Sequence, residues 1–162
     1  MSTEDRMQLA AINIRGRILE YSVQMENQMD IYIADSYAKD ANHSNDMIFM
    51  ILGSRVTFKS KYEILEYLLI HQEPKVYSKN KKEIQNIKHL IELRNCFSHW
   101  PVEYSQPSMQ KFEKKDIITF VRIRGNNNGA ITRKEYREND INSIIDDFMK
   151  SIEILRNLNN IV

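Results

Sequence analysis

The sequence predicts a mainly α-helical fold, a helical bundle with one β-hairpin inserted before its last helix. Three observations carry that expectation. Apolar side chains recur every three or four residues, most clearly over Met7, Ala11, Ile14, Ile18, Tyr21, Met25 and Tyr32, with one gap at Gln28. Only 4 Gly and 3 Pro interrupt 162 residues, and 8 Met suit the irregular gaps between packed helices. One segment departs from the helical period. Ile117 to Ile123 is rich in β-branched and aromatic residues, Gly125-Asn126-Asn127-Asn128-Gly129 is a turn signal, and Ala130 to Tyr136 reads as a returning strand.

The elements follow in order. A first helix is predicted from Thr3 to about Lys39, capped by Ser2 or Thr3, with Glu4 and Asp5 in its first turn. Gly16 interrupts the seam. Either another backbone approaches closely there, or the residue lies on an exposed face. A polar turn follows, and Ser44 or Asn45 caps a short apolar run from Asp46 to Gly53. Gly53-Ser54 breaks it before a helix from Ser60 to Gln72, whose apolar face is Tyr62, Leu65, Leu68 and Leu69 and which Pro74 closes. Lys75 to Asn80 reads as a polar loop, with Ser78 or Asn80 capping a helix through Ile84, Ile87, Leu90, Ile91 and Leu93. Pro101 disfavours helical geometry at Trp100, so that helix ends near His99. After the hairpin, Asn139 or Asp140 caps a last helix with Ile141, Ile144, Ile145, Phe148, Ile152 and Leu155 on one face. No repeat or linker divides the chain, which reads as one domain over residues 1–162.

Composition narrows the class. Apolar residues at 42% and charged residues at 28% suit a globular chain and oppose disorder. The single cysteine, Cys96, cannot form an internal disulfide or a cysteine-based zinc site, so a reducing, cytoplasmic setting is expected. No signal-peptide pattern opens the chain, and the most apolar run, Met47 to Leu52, is too short to span a bilayer, so no membrane partner is expected. The net charge of +1 conceals a segregation. Residues 1–74 carry 7 basic and 11 acidic side chains, residues 75–137 carry 14 and 6, and residues 138–162 carry 2 and 5. A polyanion is therefore drawn to the middle of the chain, unless those cations only solubilise exposed faces.

Signatures for metals and nucleotide cofactors are missing. There is no Gly-rich phosphate loop, no His-Glu-x-x-His and no Cys/His cluster, so neither metal nor cofactor is expected. Chemistry concentrates in Glu92-Leu93-Arg94-Asn95-Cys96-Phe97-Ser98-His99. Cleaving an RNA phosphodiester needs an acid or base that titrates near neutrality, which imidazole supplies. It also needs a fixed cation where charge develops, which guanidinium supplies in bidentate geometry. The ribose 2′-hydroxyl serves as nucleophile. A regular helix separates Arg94 and His99 by about 140° and about 7.5 Å of rise. From the residues alone a second reading stands, in which Arg94 pairs with an acid and His99 complements the helix C-terminus. Cys96 has no base at suitable spacing and reads as a small buried residue. Lys81, Lys82 and Lys88 lead into the motif, and Arg122 and Arg124 share a strand face, where they can track an RNA backbone. Trp100 either stacks on a base or closes the core under the helix end. Glu20 and Glu26 are weaker candidates for support from the first helix.

Arg94, Asn95 and His99, late in an apolar-faced helix, resemble the signature of the HEPN superfamily (higher eukaryotes and prokaryotes nucleotide-binding). The long first helix with Met25-Glu26-Asn27, the helix opened by Phe58-Lys59-Ser60-Lys61-Tyr62 and the closing helix are similar to family members over most of the chain. The resemblance implies a helical bundle that dimerises with the motif facing its copy. It implies a metal-independent endoribonuclease leaving cyclic phosphate ends, acting as a toxin, phage-defence effector or processing enzyme, with an antitoxin or regulatory protein as a partner. Arg94 would steady the scissile phosphate, His99 would be general base or acid, and Asn95 would orient phosphate or neighbouring side chains. Pro101 stands two residues after His99, where some family toxins carry a Tyr that a partner enzyme modifies, so that form of control is not expected. The alternative within the family is a non-catalytic module that binds nucleotide or a protein partner.

Overall fold

Ser2 and Asp5 start the first helix by exchanging hydrogen bonds. The Ser2 N–H donates to Asp5 Oδ2 at 2.9 Å, and the Asp5 N–H donates to Ser2 Oγ at 3.1 Å. The Ser2 hydroxyl and the Ser2 N–H, both directed at the Asp5 carboxylate, hold it below the usual carboxylate range. The computed structural model describes residues 1–38, 40–123 and 131–160, with the side chains of Ser54 and Ile123 left out. The elements are α1 (Thr3–Tyr37), α2 (Ala41–Met47), a π-helical turn (Ile48–Leu52), α3 (Gly53–Arg55), α4 (Phe58–Gln72), α5 (Pro74–His99), α6 (Gln106–Lys115), β1 (Ile118–Ile123), β2 (Ile131–Tyr136) and α7 (Glu138–Asn159). The expected architecture, mainly helical with a two-stranded antiparallel hairpin before the last helix, is therefore present. The chain divides into two compact units, and their boundaries fall inside α1, α5 and α7. The first unit comprises Met1–Glu20 and Leu93–Ile145, the second Tyr21–Glu92 and Asp146–Val162.

In the first unit, Met7, Ala11, Ile14 and Ile18 of α1 are buried, as their spacing predicts. Gly16 is different. A Cβ built there meets nothing within 4 Å and the residue is exposed, so of the two readings the exposed face holds and close packing within the described chain does not. Phe97 of α5 packs edge-on to Phe120 of β1 at 5.2 Å and against Tyr136 of β2 at 4.8 Å. The hairpin register pairs Ile118 with Tyr136 and Phe120 with Lys134. The segment after α5 extends this small sheet: Val102 bridges Phe120, and the Val121 N–H donates to the Pro101 carbonyl at 2.9 Å. Helix α6 has too few apolar residues for a period to predict it. Ser105 at its N-cap and a proline in its first turn were the available signals, and Asp116 in the left-handed region, at φ 52°, ends it. The expected Gly125–Gly129 turn and Arg124 lie outside the described residues.

In the second unit, Met25, Met29, Tyr32, Ile33 and Ala34 continue the buried face of α1. Met29 fills the gap at Gln28, and Ser22 rather than Tyr21 takes the buried position. Helix α1 stops at Tyr37, and Lys39 lies outside the described residues. The cap of α2 is Asp40 and not Ser44 or Asn45. Its carboxylate accepts the backbone N–H groups of Asn42 and His43 and faces His43 Nδ1. Gly53 continues the helix, so the break falls at Val56, and α4 begins two residues earlier than predicted because Thr57 caps it through the Ser60 N–H. Residues 75–79 are helical rather than a loop, with non-helical geometry at Asn80 alone. Lys61 breaks the apolar pattern of α4, yet it is only 2% exposed. Its ammonium donates to Glu26 Oε1 at 2.7 Å and Asp30 Oδ2 at 2.8 Å. Burial pushes the Asp30 carboxyl above the usual carboxylate range against the pull of Lys61.

Candidate functional site

The last two turns of α5 bury Leu93, Cys96 and Phe97 in the first unit. That face leaves Arg94 and Ser98 half-buried, and Asn95 and His99 exposed. The helix stays regular through His99, and the Trp100 N–H still donates to the Cys96 carbonyl at 2.9 Å. Arg94 and His99 therefore keep the separation of a straight helix, about 140° around the axis. Asn95 lies between them in projection, about 100° from Arg94 and, as the i,i+4 neighbour of His99, on the imidazole's stripe. An Arg94 Nη donates to Asn95 Oδ1 at 3.1 Å, which draws the guanidinium toward that stripe. The Ser98 hydroxyl is bonded to the Arg94 carbonyl at 2.8 Å.

Arg15 of α1 completes the helix end. Its Nε donates to the Phe97 carbonyl at 2.9 Å and an Nη to the Trp100 carbonyl at 2.8 Å, while its guanidinium lies over the Phe120 ring, 5.4 Å from the centroid. Two carbonyls at the α5 terminus thus gain a cationic partner. Arg15 belongs to no motif in the sequence. Its only signal is a cation flanking a buried seam residue, Ile14. Beside this end opens a cavity of about 400 Å³ lined by His99, Trp100, Arg15, Gln8 and Tyr104, among others.

The hairpin contributes cations selectively. Phe120 and Arg122 lie on one face of β1, with Lys134 and Thr132 opposite them, so Arg122 and Lys134 share the face that packs on Phe97. Arg122 is exposed, and Lys134 Nζ lies over the Trp100 ring, 5.4 Å from its centroid. Arg133 points to the other face and is clamped by Glu103 through three hydrogen bonds. This holds the Glu103 carboxyl below the usual carboxylate range. Trp100 is half-buried and lines the cavity. Burial raises the Cys96 thiol above its ordinary pKa, as expected of a buried, unreactive cysteine.

In the second unit, Lys81, Lys82 and Lys88 are all exposed on α5. Lys82 lines a separate cavity of about 530 Å³ with His89, Asp147 and Lys150. Glu26 is engaged with Lys61. Among the described residues, no helix is long and apolar enough to cross a membrane. No family model, curated protein or solved structure matches the chain.

Proposed function

We propose that this chain is a metal-independent endoribonuclease of HEPN type, needing no cofactor and working as a cytoplasmic homodimer on RNA. The observation that supports it is the placement at the end of α5 of exposed Asn95 and His99 with half-buried Arg94, beside a concave surface lined by His99. In this reading the ribose 2′-hydroxyl attacks the adjacent phosphorus and the bond to the 5′-oxygen breaks. His99 acts as general base on the 2′-hydroxyl or as general acid on the leaving 5′-oxygen. Arg94 neutralises charge developing on the phosphoryl oxygens, and Asn95 orients the guanidinium. The products are a 2′,3′-cyclic phosphate and a 5′-hydroxyl. Because α5 is regular and separates the two side chains, Arg94 of one protomer serves with the partner's His99 across a two-fold axis. Lys134 and Arg122, with exposed Lys81, Lys82 and Lys88, attract the RNA backbone, and Trp100 contacts a base. A toxin or phage-defence role, restrained by an antitoxin or regulatory protein, belongs to the same reading.

Mixed RNA incubated with the purified chain and a chelator is expected to be cut. Arg94→Ala or His99→Ala should lower the rate by at least about 100-fold while the circular dichroism stays unchanged. Intact RNA after incubation with well-folded wild type ends the ribonuclease reading. The separation of Arg94 from His99 within one chain favours one second reading, a non-catalytic module of the same type that binds nucleotide or a protein partner. It predicts nucleotide-dependent thermal stabilisation without turnover.

A further inference from the structure

We infer that the cavity beside His99 is a nucleobase subsite, with Trp100 and Tyr104 as its aromatic walls and Gln8 as the polar reader. The inference rests on the ribonuclease reading for its orientation, since His99 lines the same cavity and a base seated there carries its own phosphate to the imidazole.

Size comes first. About 400 Å³ falls in the range of small-ligand sites, and it suits one nucleotide rather than a length of duplex. Chemistry comes second. Unstacked RNA bases are held by aromatic rings and guanidinium planes and read along their edges by hydrogen bonds. The lining of this cavity includes two aromatic residues, Trp100 and Tyr104, and Gln8, whose amide carries a donor and an acceptor side by side, while the Arg15 guanidinium is already committed to the Phe97 and Trp100 carbonyls. Tyr104 is 41% exposed and Gln8 is exposed, so both are accessible to a ligand.

Preorganisation comes third. The Trp100 backbone is held at both ends, its N–H by the Cys96 carbonyl and its carbonyl by Arg15. Lys134 lies over its ring. A backbone held before the ligand arrives, with a cation already packed on its side chain, has less freedom to lose on binding.

Trp100 is the single tryptophan of the chain, so intrinsic fluorescence reports on this cavity. The test is a fluorescence titration of wild type, Gln8→Ala and Tyr104→Ala with the four nucleoside 3′-monophosphates and with ribose 5-phosphate. At least one nucleotide is expected to change the emission saturably, and ribose 5-phosphate is not. Each variant should raise the Kd by at least about fivefold. No saturable change, an equal response to ribose 5-phosphate, or unaltered Kd values in both variants would overturn the subsite. Binding is read without turnover, so the two readings fail separately. A chain that binds nucleotide yet never cuts RNA loses the ribonuclease and keeps the subsite. A chain that cuts RNA without the fluorescence response loses the subsite alone.

Discussion

Lys61 illustrates how one side chain can dominate a unit's stability. Its ammonium is withdrawn from water and is tolerable because Glu26 and Asp30 accept from it. The set is unbalanced, with two carboxylates against one cation. Asp30 Oδ1 is buried without a hydrogen-bond partner among the described residues. Replacing Lys61 by Met leaves Asp30 buried and unpaired, and should destabilise the chain by about 3–5 kcal/mol. The double variant Lys61→Met with Asp30→Leu removes the stranded charge as well and is expected to recover part of that loss. Urea unfolding of the four chains of this cycle measures the coupling, and strictly additive losses would show that the pair does not act together. Arg15 acts at the same scale by a different route. It secures two carbonyls at the end of the helix that presents His99, and so positions the imidazole without touching it.

At the level of elements, α1 carries two unlike faces. One is the buried seam from Met7 to Ile33. On the other, Leu9, Ile12 and Gly16 are exposed. Gly16 costs helix stability and no described packing explains it, because the space around its Cα is open. Gly16→Ala should therefore raise the stability of the isolated protomer by about 1 kcal/mol, read as a higher urea midpoint at low concentration. A variant that instead self-associates more weakly would locate the interface between copies on that face. The hairpin is likewise two-sided. One face sets Phe120 and Lys134 toward the end of α5, while the other ties Arg133 to Glu103. Of the hairpin cations described, Arg133 is thus an internal clamp, Lys134 is the one set against Trp100, and Arg122 is exposed farther along the same strand face.

For the whole molecule, the decisive quantity is the number of chains per site. If Arg94 and His99 meet only across a two-fold axis, mixing two inactive variants restores function. Arg94→Ala and His99→Ala chains, unfolded together and refolded, form heterodimers in which one of the two composite sites is intact. The mixture should regain about a quarter of wild-type cleavage, whereas each variant alone stays inactive. No recovery, with heterodimers verified by light scattering and mass spectrometry, would mean that the two side chains do not complement each other in trans. The concentration of positive charge in residues 75–137 bears on the same scale, because it favours encounter with a polyanion at low ionic strength.

The linear pattern by itself determined the helical class, the hairpin and the residues that face the interiors of the units. Burial of Ile14, Leu65, Ile87 and Phe148 follows from a period of 3.6 residues, which any helix built on this chain must obey. The Arg94-Asn95-His99 group was legible too, because its three members are local and side-chain type names the chemistry available to them. Caps are less legible. Asp40 and Thr57 start helices at positions where other polar residues nearby were equally eligible, and the choice depends on backbone geometry. The tertiary structure alone decided the partners of distant cations. Arg15 with the end of α5, Lys61 with Glu26 and Asp30, and Lys134 with Trp100 each join residues more than thirty positions apart. Such pairs have no sequence period, since long-range contacts come from how elements cross rather than from how each is built.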